Sequence, residues 1–185
     1  VVEGVMGLFD GPVGAEGSTA DLAAALGLPV VLVVDCAHQA QSIATLVTGF
    51  SGFRADVPIA GIVLNRVRSD RHEAMLRTAL SQSGLPPVLG VVRQNDSLFL
   101  TSRHLGLIQA QENQDLEGML ETASLAVARE TFLDKLLQIG TAIANHQPRP
   151  VLPPPGQRIA LARDEAFGFS YAHACAEWKR SGAEI

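Results

Sequence analysis

Between residues 1 and 110 the chain alternates between two spacings of apolar residues, one typical of strands and one typical of helices. Continuous apolar runs rich in β-branched residues, the composition of strands buried on both faces, occupy 29–35, 59–65 and 87–92. The opening pair, Val1 and Val2, indicates the end of a further strand. The pattern therefore predicts three strands and the last residues of a fourth.

Three segments between these runs have the spacing or the capping residues of helices. Ahead of the second run, apolar residues recur at i, i+3, i+4 and i+7 on one helix face: Ile43, Leu46, Val47 and Phe50. Asp70 followed by Glu73 predicts a helix start before the third run, and Ser18 with Asp21 predicts a capped helix that reaches Leu26. Strands that alternate with helices through short turns predict an α/β fold with a doubly wound parallel sheet.

The rest of the chain changes in character. Apolar spacing predicts helices at 116–127 and 133–142, and the segment after them holds five of the chain's ten prolines, which favours an extended linker. Beyond it, 158–164 predicts a new strand and 171–181 a helix. The predicted organisation is a first domain, a linker and the beginning of a second domain, at 1–145, 146–157 and 158–185.

The composition excludes several classes of protein. A formal net charge of −5 without a basic stripe argues against a nucleic-acid partner. Cys36 and Cys175 lie far apart, so we expect neither a disulfide framework nor a zinc site, and free thiols fit a reducing cytoplasm. The longest purely apolar run, 30–34, is too short to cross a bilayer. We therefore expect a cytoplasmic protein without a nucleic-acid or membrane partner.

Polar residues directly follow three of the apolar runs. Glu3, Asp35 and Asn65 each stand at the carboxyl end of a predicted strand, and open α/β sheets bind ligands in the crevice outside those ends. We therefore expect the three side chains to face one crevice, where Asn65 with Arg66 is a suitable hydrogen-bonding pair for a nucleotide base. The alternative is that these residues only mark where buried strands leave the sheet.

The first eleven residues hold two carboxylates, Glu3 and Asp10, on either side of a glycine-rich turn. Carboxylates can bind a metal or hold a proton, although ordinary acidic turns have the same composition. The next loop leads into Ser18 and Thr19, and glycines followed by hydroxyl side chains at a helix start can bind an anion through free N–H groups. A flexible loop with a serine cap is the alternative, and the chain contains no Walker A sequence.

Several strings of the sequence together resemble the corrin a,c-diamide synthases, the family of the cobyrinic acid and hydrogenobyrinic acid enzymes. The most specific string is Glu3-Gly4-Val5-Met6-Gly7-Leu8-Phe9-Asp10-Gly11. The others follow in the same order, at 17–21, 33–35, 64–67, 71–73, 103–107 and 159–167. The resemblance covers essentially the whole chain.

The resemblance implies a fold and a reaction. The first domain would be a P-loop NTPase-like amidoligase similar to dethiobiotin synthetase, incomplete at its N-terminal P-loop portion, and the second would be the start of a class I glutaminase-like α/β domain. The family activates the a and c acetate carboxylates of a corrin as acyl phosphates, with ATP and Mg²⁺ as cofactors, and glutamine-derived ammonia displaces the phosphate. The expected partners are the corrin, ATP, glutamine or ammonia, and a second copy in a homodimer.

The resemblance also implies roles for individual residues. Glu3 matches the family's magnesium-associated carboxylate, Asp10 matches an acidic residue near the reacting carboxylate, and Asn65 and Arg66 match the pocket for the nucleotide base. Glu3 and Asp10 are thus the expected catalytic residues, and Glu3 is also the expected metal ligand. The expected nucleotide-binding residues, with those of the strand-end and loop patterns added, are Ser18, Thr19, Asp35, Asn65 and Arg66.

Two parts of the family's machinery do not occur in this sequence: the phosphate-binding loop with its lysine, and the glutaminase cysteine and histidine. We expect them upstream of Val1 and downstream of Ile185, and we expect the 185 residues alone neither to hydrolyse glutamine nor to form the diamide. The alternatives are a relative that amidates a nickel tetrapyrrole and a non-catalytic P-loop-like module that binds partners.

Overall fold

The computed structural model describes ten segments of the chain, 1–14, 16–81, 84–100, 102–103, 106–107, 110–128, 132–142, 152–164, 167–168 and 170–185. The chain divides into two compact units, residues 1–144 and residues 145–185. The site residues expected from the sequence all belong to the first unit.

A three-stranded parallel sheet forms the centre of the first unit. Its strands are β1 (Val30–Asp35), β2 (Ile59–Val67) and β3 (Val88–Arg93), in the order β1-β2-β3. Both pairings are parallel, as the predicted alternation of strands and helices requires. The three strands predicted at 29–35, 59–65 and 87–92 and the α/β class are confirmed.

Helices connect the strands at the positions that the pattern predicts. The first three are α1 (Thr19–Leu26), α2 (Ile43–Phe53) and α3 (Asp70–Leu80). After β3 come a short antiparallel pair, β4 (Ser102–Arg103) and β5 (Gly106–Leu107), and the helices α4 (Leu116–Ala128) and α5 (Phe132–Ile139). Single 3-10 turns occupy Asp96–Leu98 and Ala110–Glu112.

Polar side chains fix where α1 and α3 begin. The Ser18 hydroxyl accepts a hydrogen bond from the Asp21 N–H, and the Asp21 carboxylate accepts one from the Ser18 N–H, which makes a complete capping box. Helix α1 ends at Gly27, whose φ of 62° is the left-handed geometry that favours glycine. Ser69 caps α3 in the same way by accepting from the His72 N–H.

The main core lies between one face of the sheet and the helices α2 and α3. Its fully buried members come from both helices, from β2 and from the residue after β1: Cys36, Ile43, Val47, Ile62, Leu64, Val67 and Leu76. A second, smaller cluster joins Leu8 and Ala20 to Val57, with Val30 and Ile59 packed against it. Helices α4 and α5 contact β3.

Gly61, near the start of β2, has the Leu89 side chain packed closely against it. A Cβ at this position would lie 2.4 Å from both Cγ and Cδ1 of Leu89 on β3. We expect Gly61→Ala to lower the free energy of unfolding by about 1–3 kcal/mol because it overpacks a closed core. Urea unfolding of the 185-residue chain, followed by circular dichroism, measures this difference.

Two further variants separate overpacking from a general effect of replacing glycine. In the Leu89→Ala background the added methyl group has space, so Gly61→Ala should cost less there than in the natural chain. The matched control is Gly52→Ala in α2, where a Cβ would meet nothing within 4 Å. It should stabilise the helix by about 0.5–1 kcal/mol. Equal costs of Gly61→Ala in the two backgrounds would refute the steric explanation.

Three expectations about strands are wrong. Val1 and Val2 lie outside the sheet with exposed side chains, because neither pairs with a neighbouring strand. The segment 158–164 is not a strand in the described residues, where Arg158 alone makes a bridge, to Glu184. Strand β1 is not buried on both faces, since its Val33 side chain is 60% exposed at the open edge of the sheet.

The second unit contains the helix α6 (Ala172–Arg180) and the parallel bridge between Arg158 and Glu184. The side-chain N–H of Trp178 on α6 donates to the Leu152 carbonyl at 3.2 Å. That bond connects the helix to the proline-rich stretch itself. Among the described residues of the whole chain, no helix is both long enough and apolar enough to cross a membrane.

Candidate functional site

Asp35 and Asn65 lie side by side at the carboxyl end of the sheet. They are register partners in β1 and β2, and the Cys36 N–H donates to the Asn65 carbonyl at 2.8 Å. Arg66 follows Asn65, and its Nη1 lies 2.7 Å from Oδ2 of Asp35. We call these three residues the strand-end rim. All three were predicted from the sequence to lie at the carboxyl ends of the strands.

The backbone of Arg66 has an unusual conformation. Its φ of 58° lies in the left-handed region, and Arg66 is the sole non-glycine residue with a positive φ among those the structure describes. The Asn65 side-chain oxygen accepts a hydrogen bond from the Arg66 N–H at 2.9 Å, which supports this geometry. Residues held in such conformations are found at ligand sites, where the surrounding structure must maintain them.

The Asp35 carboxylate is held in its ionised form. The Ala37 N–H donates to Oδ1 at 3.0 Å, and together with the Arg66 guanidinium it keeps the pKa of Asp35 below its usual range. Both members of the ion pair are about half exposed, so we expect the pair to contribute less than about 1 kcal/mol to stability. Its consequence is orientation, since it holds the guanidinium over the end of β1.

A polar cleft of about 430 Å³ adjoins the rim at the same end of the sheet. It is lined by Arg68, two residues after Arg66, and by the segment that follows β3: Gln94, Asn95, Asp96 and Ser97. Asn95 also caps the 3-10 turn by accepting from the Ser97 N–H. None of these lining residues was predicted from the sequence as part of a site, although each of them follows the end of a predicted strand.

Glu3, Asp10, Ser18 and Thr19 form a second group, around the turns before α1. A Cβ at Gly4 would lie 2.5 Å from Oγ1 of Thr19, so the backbone beside Glu3 passes against the start of the helix. The Asp10 side chain folds over Gly7, where an added Cβ would lie 2.3 Å from its Oδ2. Both carboxylates are exposed.

The hydrogen-bonding groups at the start of α1 are already used within the protein. The N–H groups of Gly17 and Ser18 and the Ser18 hydroxyl all donate to Oδ2 of Asp21. These contacts, with the Arg54 guanidinium, hold the pKa of Asp21 well below its usual range. The groups that the sequence offers to an anion therefore serve the helix cap in this structure.

The structure does not bring the two groups into one crevice. Leu8 and Ala20, which flank the Asp10 loop, form a cluster with Val57, and Val30 and Ile59, the first residues of β1 and β2, pack against that cluster. The strand-end rim lies at the other end of the same strands. No described hydrogen bond or ion pair joins Glu3, Asp10, Ser18 or Thr19 to the rim, so the structure brings together Asp35, Asn65 and Arg66 without Glu3.

A magnesium ion would find two exposed carboxylates, Glu3 and Asp10, in the second group rather than a complete set of ligands. The described residues contain no group of three or more His, Cys, Asp or Glu side chains placed to hold a metal. Glu3 is exposed, and Mg²⁺ is usually bound by one or two carboxylates together with waters and substrate phosphates. Glu3 therefore fits as one protein ligand of such an ion.

Cys36, directly after the rim, has no nucleophilic role. Its side chain is fully buried, and burial raises the pKa of the thiol to about 11. The thiol therefore remains protonated at neutral pH and packs as a small apolar side chain.

Comparison with protein families matches residues 1–99 to the family described as AAA domain. That match covers more than half of the chain and includes the strand-end rim. The chain belongs to this AAA-domain family. The parallel sheet with its connecting helices fits an incomplete fold of the P-loop NTPase type.

Curated relatives of this AAA-domain chain bear one enzyme name, hydrogenobyrinate a,c-diamide synthase. The proteins of Brucella anthropi, Rhizobium meliloti and Mesorhizobium japonicum are 54%, 49% and 43% identical to it. Each alignment covers 100% of this chain and 43% of the relative, so the chain spans less than half of their length. No solved structure matches the chain at a significant level.

Proposed function

We propose that this chain is the nucleotide-binding and carboxylate-activating part of a hydrogenobyrinate a,c-diamide synthase. The observation that carries the proposal is the strand-end rim, where Asp35 orients Arg66 beside Asn65 at the carboxyl end of a parallel sheet. Relatives of that name, which align with the entire chain, supply the reaction. The enzyme would use ATP and Mg²⁺ to activate the a and c acetate carboxylates of a corrin and glutamine-derived ammonia to amidate them.

The rim offers the groups that a nucleotide base and ribose need. Asn65 supplies an amide that can donate and accept, and the Arg66 guanidinium supplies donors in a fixed plane. The adjoining cleft adds the side chains of Gln94, Asn95 and Ser97. A base seated there would lie outside the strand ends, as ligands of open α/β sheets do.

Glu3 and Asp10, which lie apart from the rim in this structure, would act on the reacting carboxylate once the full-length protein closes around its substrates. The substrate carboxylate and the nucleotide phosphates repel each other, and Mg²⁺ supplies the positive charge that allows them to approach. We propose that Glu3 binds this ion and that Asp10 orients the reacting acetate. The acyl phosphate is sensitive to water, so these residues must act in a closed site.

The choice of corrin follows the names of the relatives, which specify hydrogenobyrinate. Neither a nickel tetrapyrrole nor a purely binding role is favoured by a described contact or by those names. Offering hydrogenobyrinic and cobyrinic acids side by side to a protein of the relatives' full length that contains this chain measures the preference. Equal turnover of the two acids would contradict it.

Arg66→Asn tests the nucleotide assignment. Asparagine tolerates the left-handed conformation of this position but lacks the guanidinium, so the backbone should be kept while the base contact is lost. We expect the KM for ATP in the full-length protein to rise about tenfold, the value of one or two lost hydrogen bonds to a charged group. Steady-state amidation assays with varied ATP measure the change.

The matched control is Arg71→Asn on α3. Arg71 is exposed and makes no described hydrogen bond or ion pair, so the same loss of charge should leave the KM for ATP within about twofold, as for most surface substitutions. Equal effects of the two variants would mean that net charge, and not the rim, determines ATP binding. An unchanged KM in Arg66→Asn would reject the assignment of the rim to the nucleotide.

A further inference from the structure

His72 forms hydrogen bonds with two loops that emerge from neighbouring strands. Its ring Nδ1 lies 3.3 Å from the Arg68 backbone N, one residue beyond the end of β2. Its Nε2 lies 2.8 Å from the Gln39 carbonyl oxygen, in the loop after β1. The ring is half-buried in the first turn of α3, where the Ser69 cap holds its backbone N–H.

The two partners determine which ring nitrogen carries the proton. A backbone N–H can only donate, so Nδ1 must accept from Arg68; a carbonyl can only accept, so Nε2 must donate to Gln39. The contacts therefore require the neutral ring with its proton on Nε2. The His72 ring thus supplies an acceptor and a donor on two different atoms at a fixed separation. A hydroxyl has both on a single oxygen, and an ionised carboxylate has acceptors alone.

Both loops follow directly on the strands that carry the strand-end rim. Gln39 comes four residues after Asp35, and Arg68 comes two residues after Arg66, whose φ is 58°. Arg66 is thus supported on one side by the Asn65 side chain and, two residues further on, by the His72 ring. Arg68 in addition lines the polar cleft.

We propose that His72 is a positioning residue that ties the loop after β1 to the turn after β2 and so fixes the strand-end rim for the nucleotide. The proposal rests on the assignment of the rim to ATP made above. His72 contacts no rim side chain in the described hydrogen bonds and acts through the two backbones. Without the His72 ring, the backbone segments that follow Asp35 and the left-handed residue Arg66 are no longer hydrogen-bonded to the same side chain.

This role predicts a particular kinetic signature. His72→Ala should raise the KM for ATP about tenfold in a protein of the relatives' full length, because two hydrogen bonds that preorganise the site are lost. The kcat at saturating ATP should change less than about twofold, since the bound nucleotide restores the arrangement. A fall in kcat with an unchanged KM would overturn the proposal.

Two variants that each keep one of the two hydrogen bonds, which we call half-substitutes, separate the effects of the two loops on the KM for ATP. They also keep the test valid if His72→Ala fails to fold. In His72→Asn the amide oxygen can take the position of Nδ1 and accept from Arg68, whereas in His72→Gln the amide nitrogen can take the position of Nε2 and donate to Gln39. Both should show a KM between those of the natural protein and His72→Ala. If neither half-substitute recovers any of the lost affinity, the bridge is not the cause.

His38→Ala is the matched control, because it removes an exposed imidazole from the residue next to Gln39. The His38 ring makes no hydrogen bond within the part of the chain that the structure describes, and its charge is the smallest of the contributions that lower the pKa of Asp35. Its KM for ATP should stay within about twofold of the natural value, as expected of a surface substitution. A rise equal to that of His72→Ala would show that loss of any nearby imidazole suffices, and would reject the bridge.

Nitrogen NMR of the protein with ¹⁵N-labelled histidine tests the bridge without any nucleotide. We expect the His72 ring to show the neutral Nε2–H tautomer, and the Nδ1–H tautomer would disprove the geometry. The kinetic results then separate two failures. If Arg66→Asn raises the KM for ATP and His72→Ala does not, the positioning role is wrong and the proposed function stands; if neither does, the nucleotide assignment itself is wrong.

Discussion

Replacing Glu3 by glutamine should lower ATP-dependent amidation about 100-fold or more in a protein of the relatives' full length that contains this chain. The substitution keeps the size of the side chain and removes the charge that the proposed Mg²⁺ site requires. Because Glu3 is exposed and makes no described hydrogen bond or ion pair, the free energy of unfolding should remain unchanged. Single-turnover amidation at saturating ATP, with a thermal melt of each protein, measures both quantities.

Glu16→Gln provides the control for Glu3→Gln. Glu16 is another exposed carboxylate in the segment before α1, so its removal makes the same change of net charge. Its amidation rate should stay within about twofold of the natural protein, as for most surface substitutions. A loss of less than about threefold in Glu3→Gln would rule out a charge-stabilising role of the size that preorganised groups supply. Equal losses in both variants would trace the effect to net charge.

The largest expected effect on stability is that of Leu76→Ala. Leu76 lies on the inner face of α3, is 0% exposed, and packs in the cluster that joins α2, α3 and the sheet. We expect the free energy of unfolding to fall by about 3 kcal/mol, from the lost burial and the cavity that remains. Urea unfolding followed by circular dichroism at helical wavelengths gives this value.

Met75→Ala, one residue earlier, tests whether the loss comes from burial or from the helix. Met75 is 42% exposed on the outer side of α3, and alanine is the stronger helix former. Its effect should be within about 0.5 kcal/mol of zero. If Leu76→Ala cost less than about 1 kcal/mol, α3 would not be packed on the sheet as the structure shows.

The sequence predicts most of the first unit because its strands and helices carry strong local signals. The β-branched run of β1 and the Ser18–Asp21 cap are strong local signals, and both elements are confirmed. The segment 158–164 is also a short apolar run, but it holds a single β-branched residue and makes only one bridge, and it is not a strand. A strand depends on its partner, and the pattern of one segment contains no information about the partner.

The strand-end rim could be predicted because carboxyl ends of parallel strands meet at one edge. The same argument placed Glu3 there, and the structure instead associates its neighbours with the start of α1. The positions of Leu8 and Ala20 at the opposite end of the strands follow from long-range packing, which apolar spacing does not specify. The role of His72 was also out of reach, since one of its two backbone partners, Gln39, is 33 residues away in the chain.

The distribution of aromatic residues has a practical consequence for unfolding experiments. The chain has one tryptophan and one tyrosine, Trp178 and Tyr171, and both belong to the second unit. Among Phe, Tyr and Trp, the first unit contains phenylalanine alone. Tryptophan fluorescence therefore reports on the environment of α6 and its bond to the Leu152 carbonyl. Helix α3, which carries both His72 and Leu76, contributes to the far-ultraviolet signal and not to tryptophan fluorescence. Midpoints that differ between the two signals would mean that the units unfold independently, and coincident midpoints would indicate one cooperative transition.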